Sequence, residues 1–123
     1  MRKTARFIST TGVLATMLGA LSATPQLAVA ADAQVLEQGK KIAFDRKKGN
    51  CLACHMIEGG NMPGNIGPAL VAMKARFPDK AQLRAQIWDA TEKNPNTMMP
   101  PFGRHEIMTE AEIDKVVEFI HSL

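Results

Sequence analysis

The sequence feature that most constrains the fold is the pentapeptide Cys51-Leu52-Ala53-Cys54-His55. The chain has 123 residues, and these two cysteines are the only ones in it. A disulfide between them would close almost no loop, so it would restrict the unfolded chain little and add little stability. The pentapeptide therefore points to other chemistry of the two thiols and the adjacent imidazole.

Two thiols at this spacing, followed at once by a histidine, are typical of covalent haem attachment. The thiols add to the two vinyl groups of one porphyrin, and the turn brings the imidazole of His55 under the iron as proximal ligand. A redox-active dithiol is one alternative, but such motifs normally lie in an α/β sheet, and this chain has no strand pattern. A zinc site is another, although only His105 and His121 remain to complete its ligands. We expect one covalently attached haem c.

Residues 1–30 have the pattern of a secretory signal peptide. A cationic stretch precedes an apolar run from Phe7 to Leu21, and Ala28 and Ala30 fit the small-residue rule for cleavage after Ala30. Polar residues interrupt the apolar run, which is shorter than the ~20 residues that span a bilayer. We therefore expect a cleaved leader and an exported domain, residues 31–123, located in the periplasm without a membrane span. No cysteine lies near the cleavage point, so lipidation there is not expected.

The leader also explains the basic balance of the chain. The net charge is +3, and residues 1–30 contain three cations and no acid. Residues 31–123 are therefore balanced in charge. Nucleic-acid binders carry a basic excess in the folded domain, so a nucleic-acid-binding function loses its main support and no nucleic-acid partner is expected.

The periodicity of residues 31–123 predicts an all-α domain of three or more short helices. The first is expected from Ala33 to about Lys47, with Gly39 placed for close approach of another helix. Another begins at Pro78-Asp79 and buries Leu83, Ile87 and Ala90. The last begins with the capping box Thr109 to Glu112 and buries Ile113, Val116, Val117 and Ile120, with Met108 and Ile113 at the hydrophobic-staple positions. The core is thin in aromatic side chains, which are Phe44, Phe77, Phe102, Phe119 and Trp88.

Two segments rich in Gly, Pro and Asn, from Glu58 to Pro68 and from Asn94 to Gly103, are predicted to be loops. In the first, the carbonyl of Pro68 is placed to accept the Nδ1–H of His55, unless Pro68 only begins a turn. The second contains Met98-Met99-Pro100-Pro101, a stiff segment suited to hold a thioether on the distal side of the iron. Met99, next to the prolines, is the preferred sixth ligand over Met98, with His105 and His121 as rivals. Trp88 is a core anchor or a hydrogen-bond donor to a haem propionate.

Taken together, these motifs resemble class I cytochromes c over the whole of residues 31–123. A narrower set resembles SoxX, the monohaem cytochrome subunit of the SoxAX complex. The matching segments are Gly64 to Pro68, Asn94 to His105, and Met108 to Ile113. The resemblance implies a class I cytochrome c fold wrapped around one haem with His/Met axial ligands. It also implies a heterodimer with a SoxA-type cytochrome subunit, whose haem site joins thiosulfate to a cysteine of the SoxYZ carrier protein.

On this interpretation the chain is the electron-accepting subunit of an L-cysteine S-thiosulfotransferase, and it passes electrons to a downstream cytochrome c. Both cysteines are consumed by haem, so the sulfur-transfer chemistry must lie on the SoxA partner and not here. The competing hypothesis is a freely diffusing class I cytochrome c that shuttles electrons in the periplasm. A binding or folding module with a redox disulfide is a third.

Overall fold

The computed structural model describes residues 25–123, with side chains described from residue 32 onward. The predicted signal peptide, residues 1–30, lies mostly outside the described residues. Within them, all regular structure is helical, which confirms the all-α prediction. The α-helices are α1 (Pro25–Phe44), α2 (Met73–Arg76), α3 (Lys80–Trp88) and α4 (Glu110–His121), and single 3₁₀ turns lie at Cys51–Ala53 and Ala90–Glu92.

Helix α1 begins before the predicted Ala33 and ends at Phe44, before the predicted Lys47. The chain folds back after Phe44, and two hydrogen bonds from the amides of Gly49 and Asn50 to the end of α1 and the residue after it hold this loop. Gly49 N donates to the carbonyl of Ile42 at 3.1 Å, and Asn50 N donates to that of Asp45 at 2.9 Å. The cluster of cations between residues 45 and 49 therefore lies on a tight loop instead of a helix face.

Helices α1 and α4 pack closely at Gly39, as predicted. A Cβ atom at Gly39 would lie 2.9 Å from Cβ of Phe119 and 2.7 Å from the carbonyl carbon of Lys115. Next to this contact, the rings of Phe44 and Phe119 meet edge to face with 5.9 Å between their centroids. Gly39 costs about 1 kcal/mol of helix propensity relative to Ala. In return it lets the two helix backbones touch.

Helix α4 begins with the predicted capping box. Thr109 N donates to Oε2 of Glu112 at 2.8 Å, and Thr109 Oγ1 accepts from Glu112 N at 3.3 Å. The amide of Thr109 and the ammonium of Lys48, 3.0 Å away, both lower the pKa of the Glu112 carboxyl. The predicted apolar face is buried, and it comprises Ile113, Val116, Val117 and Ile120, with Met108 also buried in front of the cap.

Helix α3 begins after Asp79, as predicted, and ends earlier than its pattern predicted. Asp79 caps it by accepting from Ala81 N at 2.8 Å, and the helix ends at Trp88. Ala90 is buried as predicted, but it lies in the following 3₁₀ turn. Ion pairs that cross to α4 hold the helix in place, at 2.7 Å for both Arg84–Asp114 and Lys80–Glu118.

The two segments predicted as loops contain no α-helix or strand in the structure. The segment from Glu58 to Pro68 follows the Cys51–Ala53 turn, and the segment from Asn94 to Gly103 follows the second 3₁₀ turn. Both segments contribute to the wall of one large cavity, which the core side chains of α3 and α4 close from behind.

Candidate functional site

The cavity, of about 600 Å³, contains the predicted site residues in its wall. Cys51, Cys54 and His55 line it from the pentapeptide, Pro68 from the first loop, and Met98 and Met99 from the second. Apolar side chains make up most of the remaining wall, among them Leu70, Met73, Phe77, Leu83, Ile87, Phe102, Val116 and Ile120. Residues that are far apart in the sequence thus meet around one space.

The 3₁₀ turn Cys51–Ala53 positions both thiols and the imidazole. The turn follows Asn50, whose φ of 47° reverses the chain. The amides of Cys54 and His55 both donate to the carbonyl of Cys51, at 3.2 and 2.9 Å. This compact turn brings all three chemically active side chains to the cavity wall, and neither cysteine forms a disulfide.

Burial governs the chemistry of the first cysteine. Loss of hydration raises the pKa of the Cys51 thiol to about 11, and the nearby Cys54 adds to the rise, while a backbone hydrogen bond opposes it. A thiol with this pKa is protonated at neutral pH and is a poor nucleophile. This argues against a redox-active dithiol, which depends on a thiolate with a lowered pKa.

The imidazole of His55 is fixed from the first loop. Its Nδ1 lies 2.7 Å from the carbonyl oxygen of Pro68. Because a carbonyl only accepts, Nδ1 carries the proton and Nε2 keeps its lone pair for a metal. Gly67 packs flat against the ring, since a Cβ there would lie 2.6 Å from Nδ1. Gly67 is itself tied to the pentapeptide, because its amide donates to the carbonyl of Cys54 at 2.8 Å.

The two candidate methionines differ in exposure. The side chain of Met98 is 75% exposed, whereas Met99 is half-buried and packs against the core. The amide of Met99 donates to Oγ1 of Thr97 at 3.1 Å, which fixes the backbone next to the proline pair. Of the two thioethers, that of Met99 is the better shielded from water.

The rival histidines do not line the cavity. His105 is exposed, and His121 is buried with its Nε2 3.1 Å from the carbonyl oxygen of Phe77. His121, a rival for the sixth ligand in the sequence, instead directs its ring nitrogen to a backbone carbonyl in the core. Within residues 32–123, no three His, Cys, Asp or Glu side chains come together as a metal-binding group.

Trp88 lies outside the cavity wall. It packs against the core, the guanidinium of Arg84 lies 5.3 Å from its ring centroid, and Gly103 packs against the indole. Its carbonyl accepts from Gly103 N at 3.0 Å. The structure therefore gives Trp88 the role of a core anchor, one of the two roles that the sequence left open.

Sequence reasoning missed Arg76. This side chain lines the cavity from α2, and its Nη1 donates to the carbonyl of Ala69 at 2.8 Å and contacts Sδ of Met73 at 3.4 Å. It is the one cationic side chain in the described cavity wall. A carboxylate group of a molecule bound in the cavity can form an ion pair with this guanidinium. No sequence signal marked Arg76, because a helix of four residues gives no periodicity to read.

The wall fits a haem c by the chemistry of its donors. Two thiols are available for covalent attachment, an imidazole and a thioether are available for iron, and one guanidinium is available for a propionate. Most of the rest of the wall is apolar. The volume lies within the range of roughly 300–1,000 Å³ found for ligand cavities.

Comparison with known proteins decides the family. A sequence model described as cytochrome c matches residues 36–123. The chain belongs to the cytochrome c family. A relative from Aquifex aeolicus (strain VF5), described as an uncharacterized lipoprotein, is 34% identical over 76 residues. That match covers 61% of this chain and 37% of the relative, so the chain spans well under half the length of the protein it matches.

Membership of this family implies a covalently bound haem c and a function in electron transfer. The helical architecture agrees with the class I cytochrome c fold. Cytochrome c domains are typically extracytoplasmic. In the part of the chain that the structure describes, no helix is both long and apolar enough to cross a membrane.

Proposed function

We propose that this cytochrome c carries one haem attached through Cys51 and Cys54, with Nε2 of His55 and Sδ of Met99 as the axial ligands. The proposal is supported by the position of all four side chains in the wall of one cavity. It is also supported by the hydrogen bond from Nδ1 of His55 to Pro68, which leaves Nε2 as the ligating nitrogen. Met99 is preferred to Met98 because its side chain is less exposed.

The bound haem supplies a one-electron couple between ferric and ferrous iron. The chain's own residues set the conditions for that couple. The carbonyl of Pro68 makes the imidazole of His55 a stronger donor, the thioether of Met99 raises the potential relative to a second nitrogen ligand, and the apolar wall excludes water. If His55 and Met99 both hold the iron, direct binding of a small substrate would be disfavoured. The chain is an electron carrier.

We further propose that the chain is the electron-accepting cytochrome subunit of a SoxAX complex. The loop that resembles SoxX, Asn94 to His105, supplies a wall of the cavity through Met98, Met99 and Phe102. Joining thiosulfate to a carrier cysteine releases two electrons, whereas one haem accepts one at a time. The bond-forming chemistry therefore takes place on the partner, and this chain removes the electrons in single steps.

The observation that carries the subunit proposal is an apolar surface beside the cavity. The large apolar side chains exposed in the described part of the chain are Met56, Met62, Ile66, Val71 and Met98, of which Ile66 and Met98 also line the cavity. All five lie on the loops that follow the pentapeptide or precede α4. Exposed apolar side chains beside a cavity, here Ile66 and Met98, are typical of interaction sites, and the centre of a stable interface is apolar.

A freely diffusing electron shuttle is the second candidate, and the charge distribution favours it. Lys40, Arg46 and Lys47 form no ion pair with the described residues, so their charge is available to attract a partner transiently. Under either proposal residues 1–30 are a cleaved leader, and residues 31–123 function in the periplasm.

Purification from the native periplasm at raised ionic strength separates the two candidates. A subunit interface of about 1,200 Å² or more with an apolar centre survives moderate salt, so a second haem protein of the SoxA type co-elutes. Thiosulfate then reduces this haem only when that protein and the SoxYZ carrier are present. If the protein is recovered as a lone monomer and the reduction of its haem does not depend on thiosulfate, the result contradicts the subunit proposal and favours the shuttle.

A further inference from the structure

A second cavity, of about 310 Å³, adjoins the haem cavity and shares two wall residues with it, Asn50 and Ala53. Its apolar wall consists of Phe44, Leu52 and Met62. Its polar side chains are Arg46, Asn50 and Asn61. Apart from the shared Asn50 and Ala53, none of these residues lines the haem cavity, so the haem site does not account for the rest of this pocket.

The pocket lies in the most basic part of the described chain. Residues 40–50 contain five cations and one acid. The Lys41 and Lys48 ammonium groups are paired with Glu37 and Glu112, at 3.7 and 3.0 Å. The remaining three cations are unpaired among the described residues.

Two of these unpaired cations border the apolar wall. Arg46 lines the pocket, and Nζ of Lys40 lies 5.6 Å from the ring centroid of Phe44. The one acid in the segment, Asp45, accepts a hydrogen bond from the amide of Lys47 at 2.8 Å. The next loop contains an exposed acid, Glu58. Even when Glu58 is counted with Asp45, the three unpaired cations outnumber the acids.

Met62 contributes an apolar side chain to the pocket and is not part of the hydrophobic core. Its side chain is 87% exposed, and its φ of 50° places it in the left-handed region, which residues other than glycine seldom occupy. An exposed, flexible thioether adapts its shape to a partner surface. The pocket therefore combines a cationic rim with an adaptable apolar wall, next to the turn that carries both haem-binding cysteines.

We infer that this pocket receives a carboxylate side chain of an electron-transfer partner. The carboxylate pairs with Arg46, the Asn50 and Asn61 amides offer further donors, and the short apolar stem contacts Phe44, Leu52 and Met62. The volume holds roughly ten non-hydrogen atoms at the packing of liquid water, which admits an Asp or Glu side chain with some water. The inference rests on the proposed electron-transfer function, because the pocket gains its importance from its position beside the haem cavity.

The test measures reduction of the haem-loaded protein by reduced flavodoxin, an acidic one-electron donor protein, in a stopped-flow instrument. Arg46→Gln is expected to lower the second-order rate constant about three- to tenfold and to flatten its dependence on salt. Lys74→Gln is the matched control, because it removes the same charge from α2, which does not line the pocket. Equal effects of the two variants overturn the inference.

Asn61→Phe separates insertion into the pocket from simple attraction between charged surfaces. The variant fills the pocket with a ring and leaves the charge unchanged, so it is expected to lower the rate constant while its salt dependence stays as in the wild type. A wild-type rate for Asn61→Phe overturns the inference. As a control, a neutral hydroquinone is expected to reduce the wild type and all variants at the same rate. If it does not reduce the wild-type protein, the result contradicts the proposed electron-transfer function rather than the inference about the pocket.

Discussion

Replacement of Gly67 by Ala tests how the chain holds its proximal histidine. The added methyl group would lie 2.6 Å from Nδ1 and 2.9 Å from Nε2 of His55, whereas ordinary contacts are 3.4–4 Å. The ring must therefore move by up to about 1 Å, which breaks the 2.7 Å hydrogen bond to the carbonyl of Pro68. Overpacking costs about 1–3 kcal/mol, and the lost hydrogen bond costs about 0.5–1.5 kcal/mol. We expect a total loss of about 2–4 kcal/mol.

For a domain of this size each kcal/mol lowers Tm by roughly 4–8 °C, so the Tm of haem-loaded Gly67→Ala should fall by roughly 8–30 °C. The reduction potential should rise, because an imidazole without its carbonyl acceptor is a weaker donor to ferric iron. The measurements are thermal unfolding followed by haem absorption, and a redox titration.

Pro68→Ala is the informative companion, since it keeps the backbone carbonyl and should change the potential much less. The exposed Asn65→Ala should change neither quantity. A Gly67→Ala protein with wild-type Tm and potential would refute the role given to this contact.

Three further predictions follow from the site and from α4. Met99→Ala should abolish the weak sulfur-to-iron absorption at the red end of the oxidised spectrum and lower the potential, while Met98→Ala should leave both nearly intact; exchanged behaviour would identify Met98 as the ligand. Joint replacement of Cys51 and Cys54 by Ala should give a haem-free chain without cooperative unfolding, because a cavity of about 600 Å³ then stays in the core, and a sharp calorimetric transition would contradict this. The Glu112 pKa is held below its usual 4.5, so its stabilising effect is present above that pH and is lost as the pH falls through the lowered folded-state value. Glu112→Gln should therefore flatten the acid side of the curve of Tm against pH, and an unchanged curve would show that the capping-box contact is not formed in solution.

Local signals in the sequence predicted those parts of the fold that short-range chemistry determines. The capping box at Thr109 depends on two residues three positions apart, and the apolar face of α4 depends on helical spacing alone. The close contact at Gly39 was predicted because a glycine inside a helix costs stability that only a packing contact recovers. The two loops could be predicted because Gly and Pro mark turns and loops through local backbone effects.

Other features depend on partners far away in the chain. Arg76 enters the cavity wall because α2 packs against α4, and nothing within a few residues of Arg76 signals this. The burial of His121 depends on the carbonyl of Phe77, which lies in a different part of the chain. The second pocket combines the end of α1 with the loop at Met62. Such arrangements become visible only when the tertiary contacts are known.

The close contact of α1 and α4 at Gly39 has a consequence for how the domain opens. Helix α4 contributes Val116 and Ile120 to the wall of the haem cavity, and every other segment that lines the cavity lies between the two helices in the sequence. The cavity loops can therefore fluctuate while this helix pair stays docked, but separation of the pair releases the whole enclosed segment at once. Amide hydrogens of α1 and α4 should exchange with solvent only through global unfolding, and those of the two loops through smaller openings. The protein environment of the haem is then lost at the rate at which the contact between α1 and α4 opens.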